Sequence, residues 1–242
     1  MRDERGVLGA LLENGAKALD INLPTGAIAA FASYHKLLER RSRNVNLTAI
    51  TGVEDVARLH FLDSLALLNA AQFLGSRVID IGSGAGFPGI AIKIAEPSVD
   101  LTLLDASGKR VSFLSELIAA LGLDADCICA RAEDAVRSPS SHREKYDIAV
   151  SRAVARLNIL CELCLPYVRV GGLFIAMKGI DSADEISEAR GAIESLGAEF
   201  HECFDYIIPE TEISHRAVLI KKTSETPTNY PRRFARIQNA PL

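Results

Sequence analysis

No apolar run in this 242-residue chain approaches the ~18 residues that a bilayer-spanning helix needs. The opening residues Met1-Arg2-Asp3-Glu4-Arg5 lack the apolar stretch of a signal peptide, so a cytoplasmic protein is expected. Cysteine is sparse and odd in number: Cys127, Cys129, Cys161, Cys164 and Cys203. That count, without an export signal, argues against a disulfide framework. Cys161-x-x-Cys164 sits within the apolar stretch Leu157 to Val168, with no second such pair and no nearby histidine pair, and reads as small core residues on a helix. The five histidines do not cluster at ligand spacing, so no metal site is expected. Internal repeats and low-complexity segments are absent. Net charge is only −4, which by itself points to no polyanionic partner.

What is present is a core. Hydrophobic residues make up 48% of the chain, enough for one large α/β domain with a small extra lobe. Positive charge is concentrated locally. Six basic residues (Arg216, Lys221, Lys222, Arg232, Arg233, Arg236) stand against Glu225 in the last stretch, and Lys36 to Arg43 holds four against Glu39. Such patches can meet phosphate even on an acidic protein, although charge alone favours a solvated surface.

Up to about residue 75 the pattern is helical, with Ile28, Phe31, Tyr34 and Leu38 at helical spacing. Thr51-Gly52-Val53-Glu54 reads as a capping box opening a helix toward Leu74. From Arg77 short apolar runs alternate with amphipathic stretches. Strands are expected at Val78–Ile81, Val99–Leu104, Cys127–Ala130, Tyr146–Ser151 and Leu173–Met177. Helices are expected at Pro88–Ala95, Gly108–Leu121, Leu157–Val168 and Ser182–Leu196. Two strands, Glu199–Ile207 and Ala217–Lys221, follow with no helix between them and should form an antiparallel hairpin. The alternation implies a Rossmann-like, doubly wound α/β fold, mostly parallel and seven-stranded, that binds ligand beyond the carboxyl ends of its strands. Three segments are expected: a helical lobe over 1–75, the α/β domain over 76–222 and a basic tail over 223–242.

Gly82-Ser83-Gly84-Ala85-Gly86 directly follows the first expected strand and precedes a helix. Twenty-five residues after Asp80, Asp105 closes the second strand, where an acid can accept hydrogen bonds from both ribose hydroxyls of an adenosine. Gly84, Gly86 and Gly89 also match the dinucleotide fingerprint. Counted from Gly82, however, the sixth position is Phe87, and Pro88 removes an amide that a pyrophosphate would use. The spacing Gly82-x-Gly84-x-Gly86, with the closing hairpin, therefore favours S-adenosylmethionine as cofactor. Ala132-Glu133-Asp134 follows the third strand, where an adenine contact belongs, and Ser151-Arg152 ends the fourth, near the reacting groups.

These blocks, taken in order, resemble one family: the bacterial small-subunit ribosomal RNA methyltransferase G, also called glucose-inhibited division protein B. The resemblance runs from about Leu37 onward. It rests on Asn46-Leu47-Thr48-Ala49-Ile50, His60-Phe61-Leu62-Asp63-Ser64-Leu65, the run Asp80 to Gly89, Asp105 to Leu114, Arg131-Ala132-Glu133, Ser151-Arg152-Ala153-Val154 and Met177-Lys178-Gly179. Two places depart from it. Arg41-Ser42 stands where a Trp-Asn pair is usual, and the tail reads Pro231-Arg232-Arg233-Phe234-Ala235-Arg236 in place of a Gly-Thr-Pro turn.

The resemblance implies methyl transfer to N7 of a guanine in 16S ribosomal RNA, on free RNA or the small subunit, with donor binding through Gly82, Phe87, Ala132, Glu133 and Arg152. Gly84 and Asp105 join that set from the loop and fold arguments. Arg152 and Lys178 are expected to hold the substrate end of the cleft, chiefly by anchoring phosphate, with a surface ion pair as the alternative for Arg152. Asn46 and His60 are expected to shape the guanine pocket, with a helix residue packed against the sheet as the alternative for His60. Arg232 and Arg233 are expected to meet phosphate. Guanine N7 carries an exposed lone pair, which agrees with the absence of an Asn/Asp-Pro-Pro-aromatic motif and of a Pro-Cys nucleophile. A monomer is expected, with no membrane and no metal partner. The alternatives are a methyltransferase for a small molecule or protein, a nicotinamide-dependent oxidoreductase using Gly84, Gly86 and Gly89, and a non-catalytic RNA-binding protein of the same fold.

Overall fold

In the computed structural model, residues 4–42, 47–137, 140–152 and 154–242 are described. The apolar runs become seven strands: β1 (Arg77–Ile81), β2 (Asp100–Asp105), β3 (Ala125–Cys129), β4 (Tyr146–Arg152), β5 (Val168–Gly179), β6 (Ala198–Ile207) and β7 (Ser214–Lys222). They form one sheet in the order β3-β2-β1-β4-β5-β7-β6. Strands β1 to β5 pair in parallel, and β7 inserts antiparallel between β5 and β6. A helix-free connection between β6 and β7 forces that hairpin, because a parallel return would need a crossover. The order reverses between β1 and β4, so the carboxyl ends of β1, β2 and β4 border the crevice where such sheets hold ligands.

Several boundaries differ from the sequence reading, each for a local reason. The helix expected to run through Val168 stops at Cys164, and a 3-10 turn Leu165–Tyr167 follows. Pro166 lacks the amide an α-helix would use there, and β5 starts five residues earlier than periodicity indicated. The capping box does not form. Gly52 takes the N-cap position with no side-chain hydrogen bond, and Glu54 pairs with Arg58 at 3.0 Å one turn on. The helix itself is broken: an α turn Val53–Val56, a π segment Ala57–Leu62, an α turn Asp63–Leu65 and a 3-10 turn Ala66–Asn69. Such π segments cluster at functional sites. Cys161 and Cys164 are both fully buried free thiols, in keeping with the packing reading.

Helices Glu4–Ala18 and Ala27–Ser42, with the broken helix, share one core with the sheet. Leu8, Phe31, Tyr34 and Phe61 pack in the same cluster as Val78, Ile90 and Leu101. The opposite face of the sheet has a second core around Leu160, Cys161, Phe174 and Ile193. That core also takes up Ile237 from the short helix Phe234–Asn239, so the end of the chain is packed down. Among the described residues no helix is long and apolar enough to cross a membrane.

Candidate functional site

The glycine loop and Asp105 are built as one unit. Gly84 lies at φ +58, a left-handed conformation that glycine adopts without penalty. A Cβ added there would meet nothing nearer than 3.8 Å, because the residue faces open space. The Gly84 amide donates to Asp105 Oδ2 at 3.0 Å, and the Ser107 amide donates to Oδ1 at 2.8 Å. These bonds fix the carboxylate across the ends of β1 and β2. Asp80 sits behind the loop and does not line it: its Oδ2 accepts the Gly89 amide at 2.8 Å, its buried Oδ1 has no partner, and burial raises its pKa to about 7.

Together these residues edge a cavity of about 510 Å³, within the ~300–1,000 Å³ usual for small-molecule sites. Gly82, Gly84 and Phe87 border it from the first loop, Asp105 and Ala106 from the second, and Ala130 to Glu133 from the third. Asp105 and Glu133 are each only 4% exposed. The Ala132 carbonyl accepts the Tyr167 hydroxyl at 2.7 Å, which pins the turn after β3. Arg110, 3.5 Å from Asp105 Oδ2, Arg131 and Arg152 also line the cavity. Two buried acids, apolar walls and an open glycine edge fit an adenosine carrying an amino-acid arm.

Arg152, at the end of β4, organises the other end. Its guanidinium donates to the Leu59 carbonyl and to Asp63 Oδ2, each at 3.1 Å, and to His60 Nδ1 at 3.1 Å. Nδ1 of His60 also lies 3.1 Å from the Leu59 carbonyl; arginine only donates, so in the tautomer that serves Arg152, Nδ1 accepts. Nε2–H of His60 then donates to Thr48 Oγ1 at 2.9 Å. Burial, and next the Arg152 charge, lower the His60 pKa to about 4, so the ring is neutral at pH 7. It stacks on Phe87 at 4.5 Å between centroids, and Phe87 stacks on Tyr34 at 5.0 Å. Arg152 also lies 5.1 Å from the Phe87 ring centre.

His60 and Arg152 border a second cavity of about 520 Å³, also lined by Ile50, Asp63, Met177, Lys178, Ile213 and His215. Asp63 Oδ1 accepts from Tyr206 at 2.8 Å and from His215 at 2.9 Å, and the hydrogen bond to Asp63 raises the His215 pKa. Lys178 bonds to the Ala155 carbonyl at 2.8 Å and pairs with Glu185 at 2.6 Å.

Of the residues singled out in the sequence, Gly82, Gly84, Phe87, Asp105, Ala132, Glu133, Arg152 and His60 meet at the first cavity, and Lys178 lies at the second. Arg232 is elsewhere: its guanidinium and amide bond to Glu162, which is fully buried, with Nη2–Oε2 at 2.6 Å. Arg233 is exposed. Asn46 lies outside the described residues. Sequence reasoning missed Asp63, Tyr206, His215 and Phe234. Asp63 stood inside a quoted block, but its three donors come from strands distant in the chain. The basic surplus is also largely paired. Arg216 bonds to Asp205, Lys222 to Glu144, and Arg40 and Arg41 share Glu116. Among the described residues no group of histidine, cysteine or acid side chains is placed to hold a metal.

Solved structures with this architecture include TYW2 of M. jannaschii in complex with AdoMet, 12% identical, covering 66% of this chain and 74% of that one with a TM-score of 0.53. A branched-chain polyamine synthase mutein from Thermus thermophilus is 13% identical, covering 85% of this chain and 66% of that one with a TM-score of 0.59. At such identities the likeness is one of fold: the α/β class I methyltransferase fold. Sequence relatives are much nearer. Ribosomal RNA small subunit methyltransferase G of Pelotomaculum thermopropionicum is 44% identical over 98% of this chain and 99% of its own. The protein of the same name from Alkaliphilus oremlandii is 43% identical over 96% and 98%. The family model described as GidB, rRNA small subunit methyltransferase G, matches residues 27–208. The chain therefore belongs to the rRNA small subunit methyltransferase G family.

Proposed function

We propose that the protein transfers a methyl group from S-adenosylmethionine to N7 of a guanine in 16S ribosomal RNA, acting as a monomer on free RNA or the small subunit. The observation that carries this reading is the meeting of two cavities at Arg152 and His60, one suited to the donor and one open to a base. In the first, Asp105 would hold the ribose, Ala132 and Glu133 the adenine end, and Gly82, Gly84 and Phe87 the amino-acid arm. When bound, the donor supplies an electrophilic methyl group on a sulfonium.

The residues around the junction suit a reaction that needs no proton removed. Guanine N7 presents its lone pair uncovered, so alignment does the work that a base would do elsewhere. His60 is neutral and both of its nitrogens are engaged. Asp63 already accepts from three side chains. A cationic product would be repelled by unpaired positive charge, yet Arg152 is compensated by Asp63 and Lys178 by Glu185. Both can therefore shape the base pocket without opposing the charge that develops there. Exposed Arg233 and Arg236 would add phosphate contacts.

The test uses purified protein, methyl-labelled S-adenosylmethionine and small subunits, or free 16S RNA, from cells lacking this enzyme. Label recovered as N7-methylguanosine from one site, and lost with Asp105→Ala, is the expected result. Donor binding without label in either RNA would overturn the substrate assignment.

A further inference from the structure

The cavity that we assign to the donor has one wall from an unexpected source. Phe234, eight residues before the end of the chain, borders it beside Ala130 to Glu133. Arg131, in the turn after β3, lies 5.6 Å from the centre of the Phe234 ring. The lining runs from the reacting end at Arg152, past Asp105 in the middle, to this β3 side. With the ribose at Asp105, the base has only the β3 side to occupy.

The segment bearing Phe234 is anchored at several points. Arg232 holds the fully buried Glu162 through its amide and guanidinium, and its Nη1 donates to the Ala240 carbonyl at 3.0 Å. Arg143 donates to the carbonyls of Tyr230 at 2.9 Å and Thr226 at 2.7 Å. Ile237 is fully buried against the second core. A ring carried on so fixed a support is a wall, not a passing contact.

We propose that Phe234 is a donor-binding residue that closes the adenine end of the cavity, so the chain's last segment is part of the donor site. This rests on the reading that the first cavity holds S-adenosylmethionine. Contact between an adenine and an aromatic ring adds affinity through apolar area and stacking, on the order of tenfold when the ring is cut to alanine.

The chain has no tryptophan, so one placed at this position reports alone. The full-length wild type, Phe234→Trp, Phe234→Ala and Phe234→Tyr would be titrated with S-adenosylhomocysteine by calorimetry, and the tryptophan variant also by fluorescence. Gln238→Trp, exposed on the same helix, serves as control. The expected result is saturable quenching in Phe234→Trp at the calorimetric midpoint and no change in Gln238→Trp. Phe234→Ala should bind about tenfold more weakly, with Phe234→Tyr close to wild type. Unaltered emission from Phe234→Trp while the ligand binds, or equal affinity in folded Phe234→Ala, would overturn the proposal. If the alanine variant fails to fold, the tryptophan emission alone decides. Wild type that binds no S-adenosylhomocysteine would instead overturn the donor reading on which this one stands.

Discussion

Asp63 and Arg152, 89 residues apart in the chain, face each other at 3.1 Å between the two cavities. The carboxylate is 2% exposed and also accepts from Tyr206 on β6 and His215 on β7. One acid thus ties the broken helix to three strands and sets the direction of the arginine that borders both cavities. Truncating one member of a buried pair leaves the other charge uncompensated, which is a larger loss than the pair's own net worth.

Asp63→Asn should accordingly destabilise the protein by about 3–5 kcal/mol. Transfer should fall more than donor affinity, because Arg152 stands at the junction and Asp105 does not depend on it. Arg152→Lys should not restore transfer, since one ammonium cannot reach Leu59, His60 and Asp63 at once. Denaturant melts alongside kcat and donor Kd check this. A variant with normal kcat would refute the positioning role.

Asp105→Asn should weaken S-adenosylhomocysteine binding about tenfold or more, the scale of a lost hydrogen bond to a charged group. Both amides, Gly84 and Ser107, would also lose a charged acceptor, and one of them would face the new NH2 donor. Calorimetry measures the change, and unaltered affinity would remove Asp105 from the donor site.

His60 should make the protein sensitive to acid. Its pKa is about 6.5 unfolded and about 4 folded, so the unfolded chain takes up a proton first as pH falls. The stability is therefore complete above pH 6.5 and declines toward pH 4, by up to about 3 kcal/mol from this group. His60→Asn keeps an acceptor for Arg152 and cannot titrate. Urea melts at several pH values should show a shallower acid limb for the variant, and parallel limbs would contradict the shift.

The adjacent arginines of the tail should separate cleanly. Arg232→Ala strands the buried Glu162 and should cost about 3–5 kcal/mol of stability. Arg233→Ala should leave stability within about 0.5 kcal/mol while weakening RNA binding and lowering its salt slope by about one. Melting curves and RNA affinity at several salt concentrations test both. A salt slope unchanged in Arg233→Ala would remove that residue from the phosphate contacts.

Gly86→Ala should be poorly tolerated. The residue sits at φ +97, and an added Cβ would lie 2.6 Å from the Tyr34 hydroxyl and 2.9 Å from Ile90 Cδ1. That hydroxyl bonds to the Ala85 carbonyl at 2.5 Å, joining the helix Ala27–Ser42 to the loop. A thermal midpoint equal to wild type would show that the helix bearing Tyr34 can move aside.

By itself the sequence determined whatever depends on near neighbours in the chain. Alternating periodicities gave the type and order of most helices and strands, though not all their bounds. Gly82 to Gly86 with Asp105 stood out as the residues we propose to hold the donor, because a turn and a strand end are local. The quoted blocks identified the family. Only the tertiary structure decided which charges remain free. Arg216, Lys222 and Arg232 counted toward the basic surplus of the last stretch in the sequence, yet each meets an acid contributed by another part of the chain. Asp63 was visible but without meaning until β4, β6 and β7 brought three donors to it. Phe234 was one aromatic in a polar stretch until folding carried it to the cavity. A charge or ring acts on whatever lies within a few ångströms, and that neighbourhood is set by how the chain folds back, not by spacing along it.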